Sequence, residues 1–117
     1  MELKYYIEQR PWGQFKILLE NKKCKVKEII VKSGHRLSYQ RHKKRDEHWI
    51  VVKGEAIVTL DDEEKFIKSG DSLNILKGQK HRVLNTGEQD LIFIETQTGS
   101  YFGEDDIERF SDDYNRV

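Results

Sequence analysis

The sequence has a single cysteine, no net charge, and no apolar run approaching the ~18 residues that a membrane-spanning helix needs. One cysteine, Cys24, cannot close an internal disulfide. A reducing compartment is therefore the default, and Cys24 reads as an ordinary small or surface residue. Acids and bases cancel at 21 each in 117 residues, so composition gives no support to nucleic-acid or membrane binding. The opening MELKYYIEQR is too polar for a signal peptide, and the expectation is a cytoplasmic protein. No Gly-rich phosphate loop, low-complexity linker or internal repeat is visible. No helical pattern separates the strand-like segments, which argues against βαβ units. The length fits one domain, residues 1–117.

What is present is a succession of short β-rich runs punctuated by turn residues. KVKEIIVKSG alternates and stops at Ser33-Gly34; EKFIKSGDSLNIL breaks at Ser69-Gly70-Asp71; HRVLNTGEQDLIFIETQTG is two runs around Asn85-Thr86-Gly87. HWIVVKGEAIVTLDD breaks at Lys53-Gly54, which reads as a tight hairpin. This spacing predicts an all-β sandwich or barrel. Only the tail looks helical. In GEDDIERFSDDY, Ile107 and Phe110 stand at i and i+3, and Glu104, Asp105 and Asp106 would occupy the first turn, where the helix dipole favours anions.

A small barrel fills its interior with alternating side chains, or encloses one ligand. Gln40 and His42 share one parity, and Glu47 shares the parity of Trp49 and Val51. If that face turns inward, a carboxylate sits among apolar neighbours and needs a partner, which a cation would supply. Imidazole nitrogen with carboxylate or amide oxygen is a divalent-metal donor set. His81, opening the run HRVLN, is the natural distant ligand. The expected metal set is therefore Gln40, His42, Glu47 and His81.

These residues carry a resemblance. Gly34, Gln40, His42, Glu47 and Gly54 follow the spacing of the first cupin motif, about residues 34–54, with Gln40 in place of the usual first histidine. Gly70, Leu76, Gly78, His81 and Asn85 follow the second, about residues 70–85, with Leu76 in place of proline. The chain thus resembles a single cupin barrel (a double-stranded β-helix, or jelly roll) with a short C-terminal helix. RPWG, LSYQRH, EHWIVVKGEAIVT, KHRVLN and the tail TGSYFGEDDIERFSDDYNR, about residues 98–117, resemble the C-terminal isomerase domain of type II mannose-6-phosphate isomerases. Those are commonly fused to a mannose-1-phosphate guanylyltransferase; here the domain would stand alone. Lys44 stands where such proteins often carry another histidine.

The resemblance implies a metal-dependent aldose–ketose isomerase. It would interconvert mannose 6-phosphate and fructose 6-phosphate through a cis-enediol, with one divalent ion: zinc first, then manganese, iron, cobalt or nickel. The chemistry needs a Lewis acid, a base and a remote grip on the phosphate. Base candidates are Glu95, Glu104 and His48, although His48 has opposite parity to Glu47. Phosphate candidates are Arg45, Arg82, Lys27 and Arg36, drawn from a basic set that also includes Arg41, Lys43 and Lys44. Competing readings are a different cupin enzyme (a sugar-nucleotide isomerase or epimerase, or a dioxygenase) and a non-catalytic sugar-binding partner of a guanylyltransferase. The expected partners are a hexose 6-phosphate and a second copy of the chain, since exposed sheet edges favour pairing.

Overall fold

The computed structural model describes residues 4–116. In chain order its strands are β1 (Tyr6–Arg10), β2 (Gly13–Glu20), β3 (Cys24–Val31), β4 (Tyr39–Arg41), β5 (Arg45–Lys53), β6 (Glu55–Leu60), β7 (Glu63–Lys68), β8 (Ser72–Ile75), β9 (His81–Asn85), β10 (Leu91–Gly99) and β11 (Glu108–Ser111). They form a six-stranded sheet, β1-β2-β3-β10-β5-β8, and a five-stranded sheet, β11-β4-β9-β6-β7. The pairings are antiparallel throughout. This is the all-β, double-stranded β-helix class that the turn spacing and the two motifs indicate. Among the described residues no helix is long and apolar enough to cross a membrane.

Strict alternation of burial shows why these segments are strands. On β3 the buried positions are Lys25, Lys27, Ile29 and Val31; on β5, Arg45, Glu47, Trp49 and Val51; on β10, Leu91, Phe93, Glu95 and Gln97. The ladders align these positions across the sheet, Phe93 opposite Ile29 and Val51, Glu95 opposite Lys27 and Trp49, Gln97 opposite Lys25 and Glu47. The Ile29–Phe93–Val51 row is apolar, the Lys25–Gln97–Glu47 row is polar, and Lys27–Glu95–Trp49 is the boundary between them. The apolar rows of β3, β5 and β10, with Ala56, Val58, Ile75 and Val83, make the core at one end of the barrel. The polar rows make a charged pocket at the other.

Two turns differ from the sequence expectation. Lys53-Gly54 is a corner and not a hairpin, because β5 and β6 belong to different sheets. Gly54 has φ +96°, and a Cβ there would lie 3.1 Å from the Asp90 carbonyl oxygen. A tight hairpin instead lies at Asp61-Asp62, both with positive φ, joining β6 to β7 with Leu60 opposite Glu63.

The C-terminal helix is also corrected. Residues after Gly103 form turns and then β11, which pairs with β4. Two apolar residues cannot stabilise an isolated short helix, whereas β4 offers an edge to pair with. The tail acids act as acceptors instead: the Asp106 carboxylate receives the backbone N–H groups of Lys43 and Lys44 at 3.1 and 3.0 Å. Gly99 lets β10 pass close to β5 here, since a Cβ on it would lie 2.2 Å from the Lys44 carbonyl oxygen. The tail thereby crosses the polar end of the barrel.

Candidate metal centre

The polar end encloses a cavity of about 220 Å³ whose walls include Gln40, His42, Arg45, Glu47, His81 and Glu95. His42 Nε2 lies 3.2 Å from one Glu47 oxygen, and His81 Nε2 lies 4.0 Å from the other. One ligand atom from each of these residues can be chosen so that all lie within 4.8 Å of one another. Gln40 pairs in register with His81 across β4 and β9, and its Nε2 donates to Ser38 Oγ and to the Ser38 carbonyl oxygen.

The donor set fits a divalent cation. His42 Nδ1 is 2.6 Å from the Asp106 carbonyl oxygen and His81 Nδ1 is 3.0 Å from that of Gln79. A carbonyl can only accept, so each Nδ1 carries the proton and each Nε2 keeps its lone pair, which on His42 also accepts Arg45 Nη2 at 3.2 Å. Bonds of about 2.0–2.2 Å to a common ion would set neighbouring ligand atoms roughly 3–3.5 Å apart. The 3.2 and 4.0 Å separations approach that spacing. With Gln40 the set offers two imidazoles, one carboxylate and one amide oxygen.

Electrostatics prepare the same atoms. Burial pushes His42 down to about 4, with Glu47 opposing and Arg45 assisting, and burial also lowers His81, so both rings are neutral near pH 7. Burial disfavours an ionised Glu47, but Arg45, then His81 and His42, outweigh it and hold the carboxyl well below its ordinary range. Arg45 donates from Nε to Glu47 at 2.9 Å, with its Nη2 at 2.8 Å. Glu95 goes the other way. Burial, reinforced by the nearby Glu47 charge, pushes it up to about 8. Trp49 Nε1 donates to Glu47 at 2.9 Å and to Glu95 at 3.1 Å, and so ties the two carboxyl groups together. One is a fixed anion and its neighbour is a neutral acid.

The other sequence candidates divide. Lys27 lines the cavity and donates to Glu104 at 2.5 Å, so its charge is already met. Arg45 lines it and is engaged by Glu47. Arg82 reaches the rim, with Nε and Nη2 committed to the carbonyl oxygens of Leu37 and Ser111. Two candidates are corrected. Arg36 lies outside and pairs with Asp113 at 2.7 Å. His48 is on the outer face of β5, its Nδ1 2.5 Å from Asn74 Oδ1, because strand alternation turns it away from Glu47. The sequence reading missed Arg10, Arg109 and Arg116, which also line the cavity. Only the tertiary path of the two chain ends brings them there.

Glu104 pins the tail over this mouth through Lys27 and Lys25. Burial opposes its charge, but Lys27 first and Lys25 after it bring its pKa down to about 2, from an ordinary 4.5. A folded pKa below the unfolded one contributes stability that is present above pH 4.5 and lost as pH falls toward about 2. Glu104→Gln is therefore expected to flatten that acid limb. Thermal melts of the two proteins across this range test it; parallel curves would show that the tail is held by other contacts.

Comparison with known proteins agrees with the fold and redirects the function. The family model described as "Mannose-6-phosphate isomerase C-terminal" matches residues 2–112. The xanthan biosynthesis protein XanB of Xanthomonas campestris is 48% identical over 108 residues, covering 92% of this chain and 23% of its own. A mannose-1-phosphate guanylyltransferase of Escherichia coli K12 is 44% identical, with the same coverage, 92% and 23%. The chain thus spans about a quarter of the length of these curated relatives. A double-stranded β-helix protein from Klebsiella pneumoniae superposes with TM-score 0.72 at 22% identity, over 81% of this chain and 76% of that one, a likeness of fold alone. The expectation of a mannose-6-phosphate isomerase as this chain's function is overturned by the relatives' names, which speak of guanylyl transfer and polysaccharide biosynthesis. Ancestry is nonetheless fixed by the match along nearly the whole sequence: the chain belongs to the mannose-6-phosphate isomerase C-terminal family.

Proposed function

We propose that the chain is a metal-holding cupin that binds a phosphorylated sugar and serves as the sugar-binding partner of mannose-1-phosphate guanylyl transfer. One observation carries this reading: His42 Nε2, His81 Nε2 and the Glu47 carboxylate converge in a cavity that also presents Lys27, Arg45, Arg82 and Arg109. Such a cavity suits a ligand with an oxygen for a metal and an anionic group for cations. The names of the relatives support the sugar and the partner. Zinc suits the donors, and manganese, iron, cobalt and nickel share them. When bound, the ion supplies Lewis acidity toward a hydroxyl or carbonyl oxygen.

The chain's own residues do the rest. Gln40, His42, Glu47 and His81 would hold the ion; Arg45 fixes the Glu47 carboxylate; Trp49 fixes Glu47 against Glu95. A second reading, an enzyme that moves a proton on the held sugar, is favoured by Glu95, a buried acid hydrogen-bonded to Gln97 at 2.7 Å and kept neutral beside Glu47.

Calorimetric titration of mannose 1-phosphate and mannose 6-phosphate into chelator-stripped and zinc- or manganese-reloaded protein tests the first reading. Binding is expected only to the reloaded protein. A metal-loaded protein that takes up neither sugar rejects it. Incubation of the bound sugar in deuterated water tests the second. Carbon-bound deuterium is expected with the native chain and not with Glu95→Gln; no incorporation by either leaves binding as the whole function.

A further inference from the structure

Most cations on the cavity wall are already met. Arg45 is paired with Glu47, Lys27 with Glu104, Arg10 with Glu8 and Arg116 with Asp112. Arg82 is committed to backbone carbonyl oxygens. Arg109 differs. Among the described residues its guanidinium makes no ion pair, and its Nε is buried with no hydrogen-bond partner. A buried donor without a partner is destabilising, more so when charged, which asks what the position is for.

The strand ladder answers where Arg109 points. Arg109 stands opposite Gln40 on β4, and Gln40 stands opposite His81 on β9. Directly opposed residues share a face, so Arg109, Gln40 and His81 form one cross-strand row facing the cavity. Two strand spacings of about 4.8 Å put the Arg109 backbone roughly 10 Å from that of His81. That is comparable to the length of an extended six-carbon sugar phosphate. The register shifts just after Arg109, between it and Ser111; such a bulge re-aims a side chain.

Arg10, from the end of β1, and Arg116, from the tail, line the same cavity. Arg116 uses Nε and Nη2 on Asp112, and among the described residues its Nη1 donates no hydrogen bond. Burial first, then the Arg116 charge, work against the Arg109 cation; Asp112 partly offsets them, and Arg10 adds a smaller repulsion. A doubly charged group placed among them would satisfy the Nε and offset the mutual repulsion, and guanidinium forks match phosphate oxygens.

We infer that Arg109, with Arg116 and Arg10 beside it, grips the phosphoryl group of the ligand, so that the first strand and the tail together build an anion subsite across the cavity from the His42–Glu47–His81 cluster. This rests on reading the cavity as a phosphosugar site. It replaces the grips taken from the basic run and β9 by residues from the two chain ends.

The test uses the zinc-loaded chain, with mannose 6-phosphate and inorganic phosphate as probes in calorimetry. Arg109→Met is expected to weaken mannose 6-phosphate about ten- to a hundredfold, the worth of a lost charge-assisted hydrogen-bond pair. Zinc affinity by chelator competition should be unchanged. Arg109→Lys should recover part of the loss, Arg116→Met should show a smaller one, and Arg36→Ala none. Arg109→Gln stands in if the methionine variant does not fold. Native-like sugar-phosphate affinity in Arg109→Met overturns the grip and leaves the phosphosugar reading standing. Inorganic phosphate bound through Arg109 without either sugar phosphate would keep the anion subsite and remove that reading. A native protein that binds neither probe removes both.

Discussion

His81→Ala is expected to abolish divalent-metal binding while the barrel still folds. The imidazole supplies one Nε2 lone pair, which its Nδ1–H donation to the Gln79 carbonyl oxygen turns toward Glu47. Outer-shell partners of metal ligands alone are worth about 10–100-fold in affinity, so losing a direct ligand should cost more than about 100-fold. The packing cost is small by comparison, because His81 sits in the polar row and the apolar core lies further along β9 at Val83. The measurement is the rise in melting temperature on adding zinc or manganese, which reports binding to the folded state. Native protein should rise and His81→Ala should not, and His42→Ala should behave the same way. An equal rise in all of them would mean that the ion binds elsewhere and that the converging side chains are only a buried polar network.

Glu47→Leu is expected to destabilise the metal-free protein strongly, by about 3–5 kcal/mol. The Glu47 side chain is 1% exposed and that of Arg45 is 5% exposed. Removing the carboxylate leaves a buried guanidinium whose Nη1 already has no partner. Breaking one side of a buried ion pair costs about 3–5 kcal/mol, because the remaining charge stays desolvated. Trp49 Nε1 keeps Glu95 as an acceptor, so the indole itself is not orphaned. The double variant Arg45→Met/Glu47→Leu should recover more than half of the loss, since an apolar pair of similar volume removes the unpaired charge. Urea unfolding midpoints of native, single and double variants decide it. A double variant no more stable than Glu47→Leu would show that Glu47 acts through its other contacts, with His42, His81 and Trp49. Loss of metal binding accompanies the change, but the stability effect is read on metal-free protein.

Legibility differed by residue. Parity ties Glu47 to Trp49 and Val51, Glu95 to Phe93 and Leu91, and Lys27 to Ile29 and Val31, but each strand also carries apolar residues on its other face, such as Ile50 and Val52, Ile92 and Ile94, or Val26 and Ile30, so only the packed barrel decides which row turns inward. The same rule turns His48 outward, and the Asn74 contact marks its face. Gln40, His42 and His81 were legible through fixed motif spacing, although His42 falls just after the short β4. The tail misled. Its run of acids before Ile107 has the composition of a helix start, yet Asp106 caps the backbone of Lys43 and Lys44, and Glu104 reaches Lys25 and Lys27. Those partners lie some 60–80 residues away in the chain, so no local pattern could announce them. Gly54 misled in a different way: a glycine between two strands marks a turn without saying whether the strands pair or part to different sheets.

The sequence by itself determined an all-β barrel, its family and the residue types of one metal-like donor set, because strand alternation and turn spacing are local properties written every second residue. Only the tertiary structure decided that His42, Glu47 and His81 converge with neutral rings and an anionic carboxylate. Convergence depends on strand register between segments far apart in the chain, and burial fixes charge only once the walls are closed. It also decided that Arg10, Arg109 and Arg116 share the cavity with that cluster, since they come from opposite ends of the chain and meet only because the tail pairs with β4.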